Sequence, residues 1–237
     1  GLRFAATALL LGFATASLAQ VETKSFQIWT SRDAQQGALP VVAVRKGFFE
    51  KEGLKVEVKF VSSGSEIPAG MAGGTIPMAI ASWTNPMAMV ANGLPVRILA
   101  ETTDISAAQQ LVVHKGGSIK TPKDLEGKKL ALPRIGLVMS ILEKMCKEYG
   151  CDVSKITLIN MQPEDILLAF QRGDVDAIQT WEPWATYAVQ KGGKILLSAT
   201  ESFVPGKEGK KRVDGVYAAV FARGDFVVPN PLGASTA

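Results

Sequence analysis

Several residue types that build common functional sites are scarce in this chain. It contains a single histidine and two cysteines, which are too few soft ligands for a zinc site. It has no Gly-x-Ser-x-Gly motif, no phosphate-cradling glycine loop and no nucleophile paired with a base. We therefore expect no catalytic residue, no metal and no cofactor.

Long runs of one residue class are scarce as well. No run of Lys or Arg is long enough to indicate nucleic-acid binding, and the formal net charge is only +4. Beyond the N-terminal segment, no stretch is long and apolar enough to span a bilayer. The remaining composition, 47% hydrophobic and 20% charged, is ordinary for a globular protein.

The N-terminus has the pattern of a secretory signal. Arg3 precedes an apolar run from Phe4 to Ala16, and Ser17-Leu18-Ala19 forms a small-x-small cleavage site. We expect residues 1–19 to be a signal peptide cleaved near Ala19, and the mature protein to be exported and soluble in the periplasm. A buried N-terminal helix is the alternative interpretation.

The two cysteines flank a predicted helix end. The helix that runs to Tyr149 should end at Gly150 in the left-handed conformation, which places Cys146 and Cys151 at the two positions that touch in a Schellman cap. An oxidising compartment would allow a disulfide between them. Two reduced, partly buried thiols are the alternative, because the loop is short and the bridge geometry is demanding.

Apolar segments alternate with helical patterns along the chain. Ser25–Trp29 and the strictly alternating Lys55–Phe60 predict strands, and Ile76–Ala81 and Val96–Ala100 are typical of buried parallel strands. This alternation predicts a parallel sheet covered by helices. The pattern then restarts, with further strands at Gln110–Val113, Lys129–Leu132, Ile156–Ile159, Asp176–Gln179 and Lys194–Leu197. Val216–Phe221 is again typical of a strand, and we expect it to return to the group of strands that precedes Gln110.

Two stretches repeat one arrangement. An apolar strand ends in Trp, and the next helix begins there with one or two polar residues followed by proline. The first is Ser82-Trp83-Thr84-Asn85-Pro86 and the second is Thr180-Trp181-Glu182-Pro183. In open α/β sheets, ligands bind at the carboxyl ends of the strands. Two such edges in one chain predict two lobes with a small molecule between them.

Three motifs in this order resemble the substrate-binding proteins of ABC importers for nitrate, sulfonates, taurine and similar solutes. They are Arg45-Lys46-Gly47-Phe48-Phe49-Glu50-Lys51-Glu52-Gly53-Leu54, then Asp124-Leu125-Glu126-Gly127-Lys128, then Gly173-Asp174-Val175-Asp176-Ala177 with Trp181-Glu182-Pro183. The resemblance implies an α/β, two-lobed type II periplasmic-binding-protein fold. Since members of the family usually continue for several more helices, it also implies that the C-terminal part of lobe 1 is missing from this chain.

The resemblance also implies a domain organisation and a ligand site. Residues 20–105 would form lobe 1, residues 106–212 lobe 2, and residues 213–237 a truncated return to lobe 1. The implied ligand-binding residues are Trp29, Thr30, Ser31, Ser82, Trp83, Thr84 and Thr102 in lobe 1, and Arg134, Gly136, Leu137, Trp181 and Glu182 in lobe 2.

Each of these residues also has a simpler interpretation. The Trp83 and Trp181 side chains could be core aromatics, and an arginine such as Arg134 is more often solvated. Glu182 is favoured at a helix start by the helix dipole alone, but Glu is a poor N-cap, so we expect it to accept a hydrogen bond from the ligand. Met87 and Met89 are expected to pack in the core.

The function implied is capture of a small anionic or zwitterionic solute, of the sulfonate, taurine or nitrate type, and its delivery to an ABC permease in the inner membrane. We expect a monomer that binds no nucleic acid and is not an enzyme. The alternatives are an enzyme resembling the thiamine-pyrimidine-precursor synthases, a binding protein for a pyrimidine precursor, and the effector domain of a regulator.

Overall fold

The structure is a computed structural model that describes residues 23–227, and these residues form two β-sheets. The first sheet has the strand order β2-β1-β3-β12-β4. Its strands are β1 (Ser25–Ser31), β2 (Lys55–Val61), β3 (Met78–Ser82), β4 (Val96–Asp104) and β12 (Tyr217–Arg223). The signal peptide predicted for residues 1–19 lies outside the described residues.

The second sheet has the strand order β11-β10-β9-β5-β8-β6-β7. Its strands are β5 (Gln109–His114), β6 (Lys129–Leu132), β7 (Thr157–Asn160), β8 (Ala177–Trp181), β9 (Gly193–Ser198), β10 (Glu201–Ser202) and β11 (Gly209–Lys210). Below, lobe 1 denotes the first sheet with its helices and lobe 2 the second sheet with its helices.

Helices follow most of the parallel strands. Those of lobe 1 are α1 (Ala38–Arg45), α2 (Phe48–Lys51), α3 (Ile67–Ala72), α4 (Thr84–Ala91) and α8 (Gly224–Val227). Those of lobe 2 are α5 (Gly136–Tyr149), α6 (Pro163–Arg172) and α7 (Trp184–Gln190). None of the helices in residues 23–227 is long and apolar enough to cross a membrane.

Helix boundaries follow local sequence chemistry. Pro163 occupies the first turn of α6, with Glu164 and Asp165 beside it, where the helix dipole favours negative charge. Gly173 ends α6 and Gly150 ends α5, both in the left-handed conformation, at φ of 76° and 72°. Glycine adopts that conformation without the steric cost of a Cβ atom, so both ends could be read from the sequence.

Both sheets contain parallel and antiparallel pairs. β1 pairs in parallel with β2 and β3, and β6 pairs in parallel with β7 and β8, as the alternation of strands and helices predicts. The prediction that Val96–Ala100 is a buried parallel strand is wrong, because β12 runs antiparallel between β3 and β4. As a result β4 is paired only with β12 among the described strands, and Ile98 is 53% exposed.

Apolar side chains fill both faces of each sheet. In lobe 1, Ile28 and Met78 pack on one face, while Met71 and Phe221 pack on the other. In lobe 2, Phe170 of α6 packs on the sheet face opposite to α5. Burial of each such side chain stabilises the fold by about 1.5–3 kcal/mol. This packing fixes the strands relative to one another, and with them the positions of their carboxyl ends.

Two crossovers join the lobes and lie side by side. The first comprises residues 105–108, between β4 and β5, and the second comprises residues 211–216, between β11 and β12. Ser106, in the first crossover, is fully buried, and its hydroxyl accepts the backbone N–H of Val216 in the second crossover at 2.8 Å. The same hydroxyl donates to Oδ1 of Asp104 at 2.5 Å, and Nη2 of Arg212 donates to Oδ2 at 2.7 Å. These bonds lower the pKa of Asp104 to about 2, and the bond from Ser106 has the largest effect.

A disulfide closes the end of α5. The sulfurs of Cys146 and Cys151 are bonded to each other, and the backbone N–H of Cys151 donates to the carbonyl of Cys146 at 2.9 Å. The bridge therefore coincides with the left-handed turn at Gly150 that the sequence predicts. Within the described residues, no cysteine remains free.

Candidate functional site

A cavity of about 280 Å³ lies between the two lobes, at the starts of α4 and α5. Lobe 1 contributes Trp83, Thr84 and Met87, lobe 2 contributes Gly136, Leu137, Ser140 and Lys144, and the second crossover contributes Asp214, Gly215 and Val216. Liquid water occupies about 30 Å³ per molecule, so the space corresponds to about nine waters. It can therefore hold a small solute.

The N-terminus of α5 supplies the cavity with hydrogen-bond donors. Ile135 precedes the helix in an extended conformation and its side chain makes no capping hydrogen bond. The first N–H groups of a helix have no partner within the helix, and the macrodipole adds partial positive charge there. Gly136 is exposed and lines the cavity, so a ligand in the cavity lies beside the first turn of α5. This end of the cavity suits an anion.

A carboxylate with two partners on α5 forms another wall of the cavity. Asp214 accepts a hydrogen bond from the hydroxyl of Ser140 at 3.0 Å and from the ammonium of Lys144 at 2.6 Å. The backbone N–H of Gly215 also donates to it, at 2.8 Å. The second crossover is thereby tied directly to the helix whose N-terminus faces the cavity.

The first Trp motif contributes the lobe 1 wall. Trp83 is 37% exposed and lines the cavity together with Thr84, whose hydroxyl lies 3.0 Å from that of Ser82. Met87 also lines the cavity and is 52% exposed, so the prediction that it packs in the core is wrong, whereas Met89 is buried. The short helix α4 presents Met87 one turn beyond Trp83, on the side that faces lobe 2.

The residues predicted after the first strand are placed differently. β1 extends to Ser31, so Trp29 lies within the sheet, and its indole N–H donates to Oε1 of Gln27 at 3.1 Å. Thr30 is fully buried and its hydroxyl has no partner among the described atoms. The hydroxyl of Ser31 donates to Asp33.

Asp33 organises the turn that follows β1. Its Oδ1 accepts the backbone N–H groups of Gln35 and Gln36 at 3.0 and 2.9 Å. Burial raises the pKa of this carboxyl, although the hydrogen bonds from Ser31, Gln36 and Gln35 oppose the shift. Its partners lie within the turn, so we assign it to the structure of the loop.

Two other predicted residues do not line the cavity. Thr102 lies within β4 rather than after it, at a position where the pairing with β12 shifts register, and its hydroxyl has no described partner. Arg134 is exposed, and its backbone N–H donates to Oδ1 of Asn160 at 2.9 Å. Neither residue is therefore among those that line the cavity with Trp83 and Gly136.

The second Trp motif is engaged in local structure. Trp181 is buried in the core beneath α5. One carboxylate oxygen of Glu182 accepts the backbone N–H of Thr186 at 3.0 Å, and the other accepts Nε2 of Gln110 at 3.0 Å. Gln35 of lobe 1 donates to the backbone carbonyl of Glu182 at 2.8 Å, which bridges the lobes. The Glu182 carboxylate thus supports the start of α7 through Thr186.

Two larger hollows lie elsewhere, beside α1. One, of about 820 Å³, is lined by the amino-terminal parts of β1 and β2, including Phe26 and Val56. The other, of about 480 Å³, is lined by side chains such as Ile28 and Phe48 on the face of the sheet that α1 covers. Ligand sites of open α/β sheets lie at the opposite, carboxyl ends of the strands, so we place the site at the smaller cavity.

Of the predicted residues, the cavity brings together Trp83, Thr84, Gly136 and Leu137. The residues that sequence reasoning missed are Met87, Ser140, Lys144 and the crossover residues Asp214, Gly215 and Val216. Ser140 and Lys144 follow Gly136 by four and eight residues, a spacing that places them on one helix face. No local pattern marks Asp214, since its position depends on the return of the chain from lobe 2.

Comparisons with known proteins agree with this architecture. A protein-family model described as NMT1/THI5 like matches residues 36–220. The taurine-binding periplasmic protein of Escherichia coli (strain K12) is 30% identical over 184 residues, covering 78% of this chain and 54% of that protein. A putative aliphatic sulfonates-binding protein of Bacillus subtilis (strain 168) is 30% identical over 180 residues, covering 73% of this chain and 54% of the relative. This chain therefore spans about half the length of these curated relatives.

A solved structure gives the same result for the fold. The alkanesulfonate-binding protein SsuA from Xanthomonas axonopodis pv. citri, bound to MOPS, superposes with a TM-score of 0.74 at 18% identity. The match covers 90% of this chain and 70% of that chain. It confirms the predicted two-lobed α/β fold of the type II periplasmic binding proteins.

Proposed function

Because this chain belongs to the NMT1/THI5-like family, we propose that it is the solute-binding component of an ABC importer. It captures a small anionic or zwitterionic solute, of the sulfonate, taurine or nitrate type, between its two lobes. The observation that carries the proposal is the cavity of about 280 Å³, whose walls come from both lobes and from the second crossover. A site built in this way is completed only when the lobes are close together.

The binding mode follows from the chemistry of the walls. The anionic group of the solute accepts hydrogen bonds from the N–H groups at Gly136 and Leu137. Trp83 covers the apolar part of the solute, and the hydroxyl of Thr84 supplies one further polar contact. Of the remaining predicted residues, Ser82 holds the hydroxyl of Thr84 at 3.0 Å, whereas Thr30 and Ser31 lie at the end of β1.

Uptake requires that binding changes the conformation of the protein. In this proposal residues 20–105 with 213–237 form one lobe, residues 106–212 form the other, and residues 1–19 are a cleaved export signal. The solute binds the closed arrangement better than the open one and therefore shifts the population toward it. The closed monomer then docks on a permease in the inner membrane, and catalysis has no part in the cycle.

Titration calorimetry on the full-length protein tests the proposal. Taurine, aliphatic sulfonates and nitrate are titrated in turn into the wild type and into two variants of the first residue of α5. Gly136→Pro removes one N–H from the anion site, at a helix position and after an extended residue that both tolerate proline. Gly136→Ala keeps the N–H, and the added Cβ would meet no atom within 4 Å.

The expected result is binding of at least one of these anions, with a weaker affinity in Gly136→Pro than in Gly136→Ala. A charge-assisted hydrogen bond contributes about 1.5–3 kcal/mol, so the difference between the two variants should be about ten-fold or more. If none of the anions binds the full-length wild-type protein, the proposal is wrong. Equal affinities in the two variants would remove α5 from the site.

The enzyme alternative lacks a comparable site among the described residues. The thiamine-pyrimidine-precursor synthases that motivated it use a cysteine-rich segment and an iron-binding histidine. Here Cys146 and Cys151 are bonded to each other, and His114 stacks on Phe170 with its Nε2 3.0 Å from the carbonyl of Val175. The relatives described above are likewise named as binding proteins.

A further inference from the structure

The cavity between the lobes contains one ion pair, and its acidic member is shielded from solvent. The Asp214 side chain is 11% exposed, whereas that of its partner Lys144 is 50% exposed. Among the described residues that line the cavity, Asp214 supplies the only carboxylate and Lys144 the only cationic group. Both charges therefore line the cavity, and the negative one is the more shielded from solvent.

The Asp214 carboxylate is held firmly but is not saturated. Its Oδ1 accepts from Lys144 at 2.6 Å and from the N–H of Gly215 at 2.8 Å, and its Oδ2 accepts from Ser140 at 3.0 Å. An ionised carboxylate offers about four acceptor positions. One position, on Oδ2, is therefore left for a further donor.

The distance from the anion site to this carboxylate is set by α5. Ser140 lies one helical turn beyond Gly136, which is about 6 Å along the helix axis. When the anionic group of a solute binds the first amides of α5, a short carbon chain therefore places the other end of the solute near Oδ2 of Asp214. This is the oxygen that accepts the hydrogen bond from Ser140. The cavity thus has donors at one end and an acceptor with negative charge at the other.

We propose that Asp214 determines the solute specificity of this site. It accepts a hydrogen bond from an ammonium or another donor at the end of the solute remote from the anionic group, and it repels a second negative charge there. The inference rests on the proposed function, because it assumes that the anionic end of the solute binds the α5 amides. It replaces Glu182 in the role of acceptor, since Glu182 is not among the residues that line the cavity.

Lys144 moderates this preference. Its ammonium partly neutralises Asp214 from the solvent side and leaves the Oδ2 position unfilled. Removal of that ammonium leaves Asp214 with a fuller negative charge and one lost partner. A solute with a positively charged end then gains affinity relative to a neutral solute of the same size.

The experiment uses four sulfonates that share a two-carbon frame and differ at the remote end. They are 2-aminoethanesulfonate, 2-hydroxyethanesulfonate, propane-1-sulfonate and 3-sulfopropanoate, which carry an ammonium, a hydroxyl, a methyl and a carboxylate. Each is titrated into the full-length wild type, Asp214→Asn and Lys144→Met. The measured quantity is the ratio of dissociation constants between the methyl and the ammonium compounds, and thermal unfolding of each variant verifies that it is folded.

The wild type should bind the ammonium compound about 10- to 100-fold more tightly than the methyl compound, as expected for one charge-assisted hydrogen bond. 3-Sulfopropanoate should bind most weakly. Asp214→Asn should bring the ratio to within about three-fold of unity, and Lys144→Met should increase the ratio.

The outcomes separate this inference from the proposed function. If the sulfonates bind but the wild-type ratio is near one, or if Asp214→Asn leaves it unchanged, the role of Asp214 is wrong and the function stands. If no sulfonate, taurine or nitrate binds, the proposed function itself is wrong. If Asp214→Asn does not fold, Lys144→Met decides, since an unchanged or smaller ratio in that variant overturns the inference.

Discussion

The substitution Ser106→Ala removes a hydroxyl that ties together the two crossovers between the lobes. In the wild type this hydroxyl accepts the backbone N–H of Val216 at 2.8 Å and donates to Asp104 at 2.5 Å, and Nη1 of Arg212 donates to it at 3.3 Å. The side chain is fully buried. Alanine fits the space, so the variant tests the hydrogen bonds rather than the packing.

The expected loss of stability is about 2 kcal/mol. An N–H group left without an acceptor in the interior costs about 1–3 kcal/mol, and Val216 is buried, so water cannot replace the lost partner there. Loss of the bond to Asp104 costs less than its charge would suggest. That side chain is 40% exposed, so water takes the place of the hydroxyl.

Urea unfolding of the wild type, Ser106→Ala and the control Ser118→Ala measures this loss. Ser118 is exposed, so its variant should stay within about 0.5 kcal/mol of the wild type. Hydrogen exchange should also accelerate at the amide of Val216, because the hydroxyl that protects it is gone. A free energy of unfolding within about 0.5 kcal/mol of the wild type, with unchanged exchange at Val216, would refute the account of the crossovers.

Four further predictions concern single groups. Asp104→Asn should destabilise the protein at neutral pH by about 1 kcal/mol, a value reduced because the side chain is partly exposed to solvent. Folding lowers the pKa of Asp104 from 3.8 to about 2, so the stability difference between wild type and variant should fade as the pH falls through that interval. Urea unfolding at a series of pH values measures this difference, and a difference that stays constant would contradict the prediction. Asp33→Asn should change the stability in the opposite direction. Burial raises the pKa of this carboxyl, so its ionisation lowers the free energy of unfolding at neutral pH, and the variant should be as stable as the wild type or more stable there. Below the ordinary pKa of 3.8 the carboxyl is protonated in both states, and the gain in stability should be absent. Joint replacement of Cys146 and Cys151 by serine should cost about 2 kcal/mol, the chain-entropy value for their separation of five residues; a reducing agent should lower the melting temperature of the wild type alone, and an equal effect on the variant would contradict this. Glu182→Ala should lower stability by about 1 kcal/mol through the loss of its bond to the start of α7 and leave solute affinity unchanged; a large loss of affinity without loss of stability would restore Glu182 to the site.

Elements whose ends depend on local chemistry were predictable from the sequence. The α6 helix runs from Pro163 to Arg172, and both ends follow from local sequence because proline suits the first turn and Gly173 suits the left-handed cap. Strand β6 likewise matches its prediction, Lys129–Leu132. The apposition of Cys146 and Cys151 was predictable for the same reason, since a Schellman cap is a local structure.

Strand pairing and exposure were less predictable, because they depend on residues distant in sequence. Val96–Ala100 reads as a buried strand, yet β12 pairs with one side of β4, and Ile98 is exposed. Met87 reads as a core residue because α4 is apolar, and only the position of lobe 2 shows which of its sides lines the cavity. Thr30 and Ser31 follow the predicted end of the first strand at Trp29, yet β1 extends two residues further and includes both.

By itself, the sequence determined the order of most strands and helices, the two Trp motifs and the family, because each is expressed in neighbouring residues or in their order. Only the tertiary structure decided what the two motifs do: Trp83 lines the cavity, whereas Trp181 lies in the core and the Glu182 carboxylate supports a helix start. It also brought Asp214 to α5, across 74 residues of chain from Ser140. Contacts of that separation arise from the packing of two lobes, which no local pattern of residues records.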